Sequence, residues 1–292
     1  VSRVGDGGTN ATDSRDYAVH GDPTPPPEID VSIAHPARIY DYLLGGKDNY
    51  AADRAVADQM LAINPEAAPS ARRNREFILR AVRTMVEELG IDQILDLGTG
   101  IPTAPTVHGV ARSINPDVVV GYVDNDPIVL AHDRALLAVE PGVVTVLGDL
   151  TDPSSVLDAP EITELIDWSR PVGVIMAAVF HFVPPERGPE GMVAQYRARM
   201  APGSAAAISM LTSDGAVAAQ MNQARHEYEQ RATQGLTFRS RTEIAGFFAG
   251  FELAEPGLVD PAAWRPTQVP LTETEGSAYF LVGLGVVPHP QS

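Results

Sequence analysis

Beyond Gly90 the chain breaks into short apolar runs, at 94–97, 118–123, 143–147, 172–180 and 205–211, separated by amphipathic helical stretches. A run that is apolar on both faces has no solvated side, so it must be covered on both. Runs of that kind alternating with helices predict a parallel sheet between helical layers. The stretches between them agree. In the first, Val107, Val110, Ala111 and Ile114 follow the i, i+3, i+4, i+7 spacing of one helix face, and Pro105 suits a first turn, where no N–H is needed. In the second, Asp126 is placed to cap a helix that Pro127 opens. Near the end, Phe251-Glu252-Leu253 and Ser277 to Val287 predict two more strands, the latter long enough for a hairpin partner.

Upstream the period is helical. Helices are expected at about 36–44, stopped by Gly45-Gly46, at about 48–63, and at about 66–89. In the third, Phe77, Ala81, Val82, Met85, Val86 and Leu89 recur at helical spacing, and Gly90 ends it. This predicts a helical lid over 31–89 covering an α/β domain over 90–292. Residues 1–30 are rich in Gly, Asp, Ser, Thr and Pro and read as a disordered tail, unable to bury enough apolar area to offset ordering.

Composition narrows the partners. A net charge of −17, from 38 acids against 21 bases, repels phosphate backbones and anionic lipid, so neither nucleic acid nor a membrane is expected as partner. Arg72, Arg73, Arg75, Arg80 and Arg83 form either a local basic groove or a solvated helix face. The absence of cysteine excludes disulfides, thiolate metal sites and a cysteine nucleophile. No basic segment followed by an apolar one opens the chain, and the longest apolar run, Val172 to Val183, is too short to span a bilayer. A cytoplasmic protein is the expectation. The seven histidines are scattered, so no metal site is expected.

The sharpest chemical signal lies at the strand ends. Ile94-Leu95-Asp96-Leu97-Gly98-Thr99-Gly100 reads as a buried strand ending in an acidic, glycine-rich turn, and in open parallel sheets ligands bind at such ends. Gly98 and Gly100 let backbone N–H groups approach a ligand, although strand-to-helix turns also use glycine for structure alone. Asp96 adds a carboxylate that is costly to bury without a cation or donors. The α-ammonium of S-adenosylmethionine supplies that partner, whereas the pyrophosphate of a dinucleotide would be repelled. The competing reading is that Asp96 caps the turn. Asp124, ending the next run, suits both hydroxyls of a ribose, and Asp149 after Gly148 suits an adenine amino group, with Leu150 against the ring. Asp126 and Asp152 are the better helix caps.

These residues resemble known motifs. Asp96-Leu97-Gly98-Thr99-Gly100, Tyr122-Val123-Asp124-Asn125-Asp126-Pro127 and Gly148-Asp149-Leu150 are similar to those of class I S-adenosylmethionine-dependent methyltransferases. The segment Ala37-Arg38-Ile39-Tyr40-Asp41-Tyr42-Leu43-Leu44-Gly45-Gly46-Lys47-Asp48-Asn49-Tyr50 resembles the opening signature of a bacterial S-adenosyl methyltransferase family, and Asn74-Arg75, Phe77 and the stretch from Phe247 to Gly257 fit it too. The likeness spans roughly 33–288. It implies a Rossmann-like, mostly parallel seven-stranded sheet with an antiparallel last strand, and methyl transfer from S-adenosylmethionine. Ile101-Pro102 follows Gly100 where many class I enzymes carry another glycine.

Together these readings assign cofactor binding to Asp96, Gly98, Thr99, Gly100, Asp124, Asn125, Asp149 and Leu150. Arg75 is a candidate partner for the methionine carboxylate. The acceptor is expected to be a small molecule methylated at oxygen or nitrogen. His181 and Tyr50 are the catalytic candidates. His181 is either a base or a histidine packed between phenylalanines, while Tyr40, Tyr42 and Tyr50 either close over the sulfonium by cation–π contact or fill the lid core. Gly45-Gly46 is a hinge or a helix stop. Two other functions stay open at this point: a non-catalytic S-adenosylmethionine sensor or partner subunit, and an NAD-dependent oxidoreductase.

Overall fold

The structure is a computed structural model and describes residues 31–137, 140–214, 228, 235–266 and 279–290. The expected tail, 1–30, lies outside the described residues, as do positions 277 and 278. Among the described residues seven strands form one sheet: β1 (Gln93–Leu97), β2 (Val119–Asp124), β3 (Val143–Leu147), β4 (Gly173–Ala177), β5 (Ala205–Leu211), β6 (Glu252–Leu253) and β7 (Phe280–Val286). Their order is β3-β2-β1-β4-β5-β7-β6. The first five pair in parallel, and β7 runs antiparallel to both β5 and β6.

Helices cover both faces, as runs apolar on both faces require. On one side lie α3 (Ala67–Glu87) and α4 (Val107–Arg112), where Phe77, Val82 and Met85 pack against Ile94, Val120 and Ile175. On the other lie α6 (Pro153–Leu157), α7 (Pro160–Leu165), α8 (Pro189–Arg199) and α9 (Arg241–Gly246), which close over Leu95, Leu97, Val174 and Ile208. Between α4 and α6, α5 (Pro127–Leu136) follows β2. Side chains such as Phe77 and Phe180 are fully buried, each contributing about 1.5–3 kcal/mol by leaving water. Two helices stand apart from this sandwich. α1 (Pro36–Leu44) and α2 (Ala51–Ile63) build a third cluster from Ile39, Leu43, Val56 and Ala57, joined by Tyr228 and Leu236. The long third helix therefore belongs to the sheet's own packing, and α1 with α2 forms the cover above it.

Two local expectations are corrected. The fourth apolar run is strand only to Ala177; Ala178 takes φ 57° and Phe180–Phe182 turns into a 3₁₀ helix. That bend turns the chain across the top of the sheet. Pro105 lies outside α4, whose cap is Thr106: its hydroxyl accepts from the Gly109 N–H at 3.1 Å. Among the described residues no helix is long and apolar enough to cross a membrane.

Candidate active site

Strand order makes the site. From β1 the chain turns to β2 on one side and later returns to β4 on the other, so the carboxyl ends of β1 and β4 part at a crevice. A cavity of about 470 Å³ opens there, lined by Asp96, Gly98, Thr99, Gly100, Asp124 and Asn125. Asp149 and Leu150 extend the same wall.

Pleating puts Asp96 and Ile94 on the α3 face of β1, beneath Arg75. Asp96 is buried, and its carboxyl is pushed up to about 7 by burial, opposed by the Arg75 charge and reinforced by Asp124. No described residue donates a hydrogen bond to it. Asp124 is fixed differently. Its Oδ2 accepts the Gly100 N–H at 2.9 Å and its Oδ1 the Asp126 N–H at 2.9 Å. Burial still raises it, against these donors. The Asn125 N–H is a further backbone donor to this carboxyl, which still keeps lone-pair capacity for a ligand. Asp149 Oδ1 accepts both the N–H and the hydroxyl of Thr151, at 2.8 and 2.7 Å. Asp126 and Asp152 act as helix caps, accepting from Ile128 and Ser155.

The turn needs glycine at Gly98. Its φ is +71°, and a Cβ there would run into the Val179 side chain. The Gly98 and Thr99 N–H groups both donate to the Val123 carbonyl, at 2.8 and 3.2 Å, which ties the turn to β2. Behind it, Asp133 on α5 is buried and held at about 8 by burial and then by Asp124 and Asp96. This carboxyl carries no signal in the sequence, since it sits on a helix rather than at a strand end.

The opening signature forms the lid's polar frame. Arg38, 2% exposed, pairs with Asp53, 0% exposed, at 2.8 Å; Asp53 also accepts the His35 and Tyr50 N–H groups. Asp41 accepts from the Asp48 N–H and from Asn49 Nδ2, and fills the space beside Gly46 that a Cβ would need. Gly46 is thus a close-packing position and Gly45, at φ 87°, a helix stop.

This frame corrects two of the tyrosines. Tyr50 does not line the cavity: the Arg38 guanidinium covers its ring at 5.5 Å. Tyr42 points away and donates to Asp58. Tyr40 does line the cavity, donating to the Ala71 carbonyl at 3.1 Å and accepting from Asn74 Nδ2 at 3.0 Å. Arg75 reaches the cavity too, but its Nη2 already holds the Thr103 and Pro105 carbonyls at 2.8 and 2.7 Å, while its buried Nε has no partner among the described residues. Arg75 therefore anchors the loop after the glycine turn, with only part of its fork available to a carboxylate.

His181 sits in the cavity wall, packed on Phe182 at 4.3 Å and Phe280 at 6.1 Å between centroids. Burial, helped by the Arg239 charge, pushes its imidazole down to about 3. It is neutral at pH 7, and its Nδ1 has no partner among the described residues. Sequence reasoning missed Ser70 and Tyr228, which share this wall, and took Asn74 only as part of a resemblance. Ser70 and Asn74 continue the buried stripe of Phe77, Ile78 and Ala81, so polar residues in an apolar helical stripe were the readable signal.

The donor set fits one cofactor class. Three carboxylates at successive strand ends suit an ammonium, ribose hydroxyls and an adenine amino group, whereas a pyrophosphate would face Asp96 across the glycine turn. The fold is that of a class I methyltransferase. The sequence model of the S-adenosyl methyltransferase family matches residues 22–288, and the chain belongs to that family. It uses S-adenosylmethionine as methyl donor. Two solved structures are similar over nearly their whole length. A candidate methyltransferase from Thermobifida fusca YX shares 40% identity with a TM-score of 0.84, covering 91% of this chain and 99% of its own. A DUF574 family protein from Streptomyces avermitilis MA-4680 shares 38% identity with a TM-score of 0.83, covering 89% and 99%. No curated protein matches the chain.

Proposed function

We propose that the chain transfers the methyl group to an oxygen or nitrogen of a small molecule enclosed between the lid and the strand ends. The observation that carries this is a single cavity, about 470 Å³, shared by the three strand-end acids and by Tyr40, Leu43 and Met60 of the lid. That volume falls within the usual range for small-molecule sites, roughly 300–1,000 Å³. The donor, when bound, supplies an electrophilic methyl carbon on a sulfonium. Asp96 would hold its ammonium, Asp124 its ribose hydroxyls and Asp149 its adenine amino group.

The protein's remaining task is alignment of the acceptor with that carbon under exclusion of water, which removes much of the barrier to in-line displacement. A base is needed only if the acceptor keeps a proton that must leave as attack proceeds. His181 is neutral and its Nδ1 has no partner among the described residues, so it suits the role of hydrogen-bond acceptor for that proton. The reading is tested by incubating the protein with methyl-labelled S-adenosylmethionine and a cell extract split by size. Label in the low-mass fraction supports it; label confined to protein or nucleic acid overturns it.

A further inference from the structure

Away from the strand-end acids, the cavity wall changes character. The lining contributed by α1, α2 and α3 as far as Asn74 includes Ile39, Leu43, Leu44 and Met60 and contains no acid, lysine or arginine. Facing it are Phe182, Leu211, Leu236, Phe238 and Phe280. Among the described residues, the acids and arginines that line the cavity, Asp96, Asp124, Asp149, Arg75 and Arg187, belong to the cofactor loops or touch them: Arg75 bonds the loop after Gly100, and Arg187 donates to Thr151 beside Asp149. At the cap of α1, burial outweighs the nearby Asp126 and lowers the His35 imidazole below its ordinary value.

Within this apolar surface four buried polar atoms have no partner among the described residues: Ser70 Oγ, Asn74 Oδ1, His181 Nδ1 and Tyr228 Oη. Their residues are at most 4% exposed, and all four line the cavity. Buried polar groups are normally hydrogen-bonded, and leaving one unpaired costs about 1–3 kcal/mol. Asn74 is the most informative. Tyr40 gives its only proton to the Ala71 carbonyl, so Asn74 must meet the tyrosine oxygen with its N–H, as it does at 3.0 Å. Its Oδ1 is then left as a pure acceptor that demands a donor from whatever fills the cavity. The neutral His181 Nδ1 can accept as well, and the Ser70 and Tyr228 hydroxyls can accept or donate.

We propose that Ser70, Asn74, His181 and Tyr228 are the polar contacts of an acceptor compartment built for an uncharged, largely apolar or aromatic molecule that carries a hydroxyl or N–H donor. The inference rests on the methyl-transfer reading and narrows its substrate class. A carboxylate, phosphate or ammonium on the acceptor would be desolvated there without a counter-charge, which is costly. Aromatic and aliphatic walls match a ring system, and the unpaired acceptors match its hydroxyl. Phe182 and Tyr228, stacked with centroids 6.4 Å apart, join the sheet side of the compartment to the lid cluster.

The test uses the full chain saturated with S-adenosylhomocysteine, titrated by calorimetry with 2-naphthol, 2-naphthoate and 2-naphthylmethylamine at pH 7. Naphthol should bind at least about tenfold more tightly than either charged probe, since burying an unpaired charge outweighs the shared ring contact. A charged probe that binds as well as naphthol, or failure of all three, overturns the proposal. Tyr228→Phe and Ser70→Ala, which remove one hydroxyl each, should weaken naphthol by about three- to tenfold while S-adenosylhomocysteine affinity stays constant. Unchanged naphthol affinity in both variants overturns the polar contacts. If S-adenosylhomocysteine itself fails to bind the wild-type chain, the cofactor reading beneath both proposals falls instead.

Discussion

Asp96→Asn separates the cost of the buried acid from its use. Asp96 is 7% exposed, and its carboxyl ionises at about 7 in the folded protein against 3.8 ordinarily. Between those two pH values the folded chain holds a proton that the unfolded chain has released, so stability falls as pH rises. From pH 5 to pH 8 this one group removes about 2.6 kcal/mol. Asparagine has no proton to lose, while the other titrating groups remain in both proteins. The stability of the variant relative to wild type should therefore improve by about 2–3 kcal/mol between pH 5 and pH 8. Urea unfolding of the cofactor-free proteins at the two pH values measures it. Cofactor affinity should move the other way, because the amide cannot pair with an ammonium. A stability difference that is the same at pH 5 and pH 8 would refute the claim that burial sets the ionisation of Asp96.

Further outcomes follow from individual contacts. Asp124→Ala should weaken S-adenosylmethionine by about 1.5–3 kcal/mol in calorimetry, through lost charge-assisted bonds; unchanged affinity removes Asp124 from the site. Gly98→Ala should cost about 1–3 kcal/mol in urea unfolding, from the positive φ and the collision with Val179, and an undiminished stability would contradict that packing. Arg38→Met leaves Asp53 buried with only backbone donors and no counter-charge, an expected loss of about 3–5 kcal/mol; limited proteolysis should then cut first within 36–63, and a lid as resistant as wild type counts against the frame. Because His181 is held near 3 by burial and Arg239, kcat/KM should show no inflection between pH 5 and 8 that disappears in His181→Gln.

The sheet was legible because burial on both faces writes a simple pattern. Every residue of β1 is buried, and the run at 94–97 reads as strand from the sequence, one residue short of its start at Gln93. The acids at the strand ends stood out because nothing in a hydrophobic strand explains them. What escaped depends on contacts distant in sequence. Tyr40, Tyr42 and Tyr50 are equivalent in sequence, yet Arg38 takes Tyr50 into the lid interior and Asp58 draws Tyr42 outward, leaving Tyr40 on the cavity. The fourth strand was overextended because Ala178, Val179 and Phe180 are as apolar as a strand, and only the positive φ at Ala178 turns them aside. Arg75 carried a plausible charge, but its bonds to Thr103 and Pro105 arise from a loop 28 and 30 residues away in sequence.

Thermal unfolding with S-adenosylmethionine, S-adenosylhomocysteine, NAD and ATP, each alone, tests the cofactor site most directly. A ligand at about 100 times its Kd adds roughly 2.7 kcal/mol of stability, a readily visible shift. The acidic strand ends predict a shift with the first two ligands, reduced in Asp124→Ala, and none with NAD. A shift with NAD alone, or one with S-adenosylmethionine that Asp124→Ala leaves intact, would contradict the site assigned to Asp96, Asp124 and Asp149.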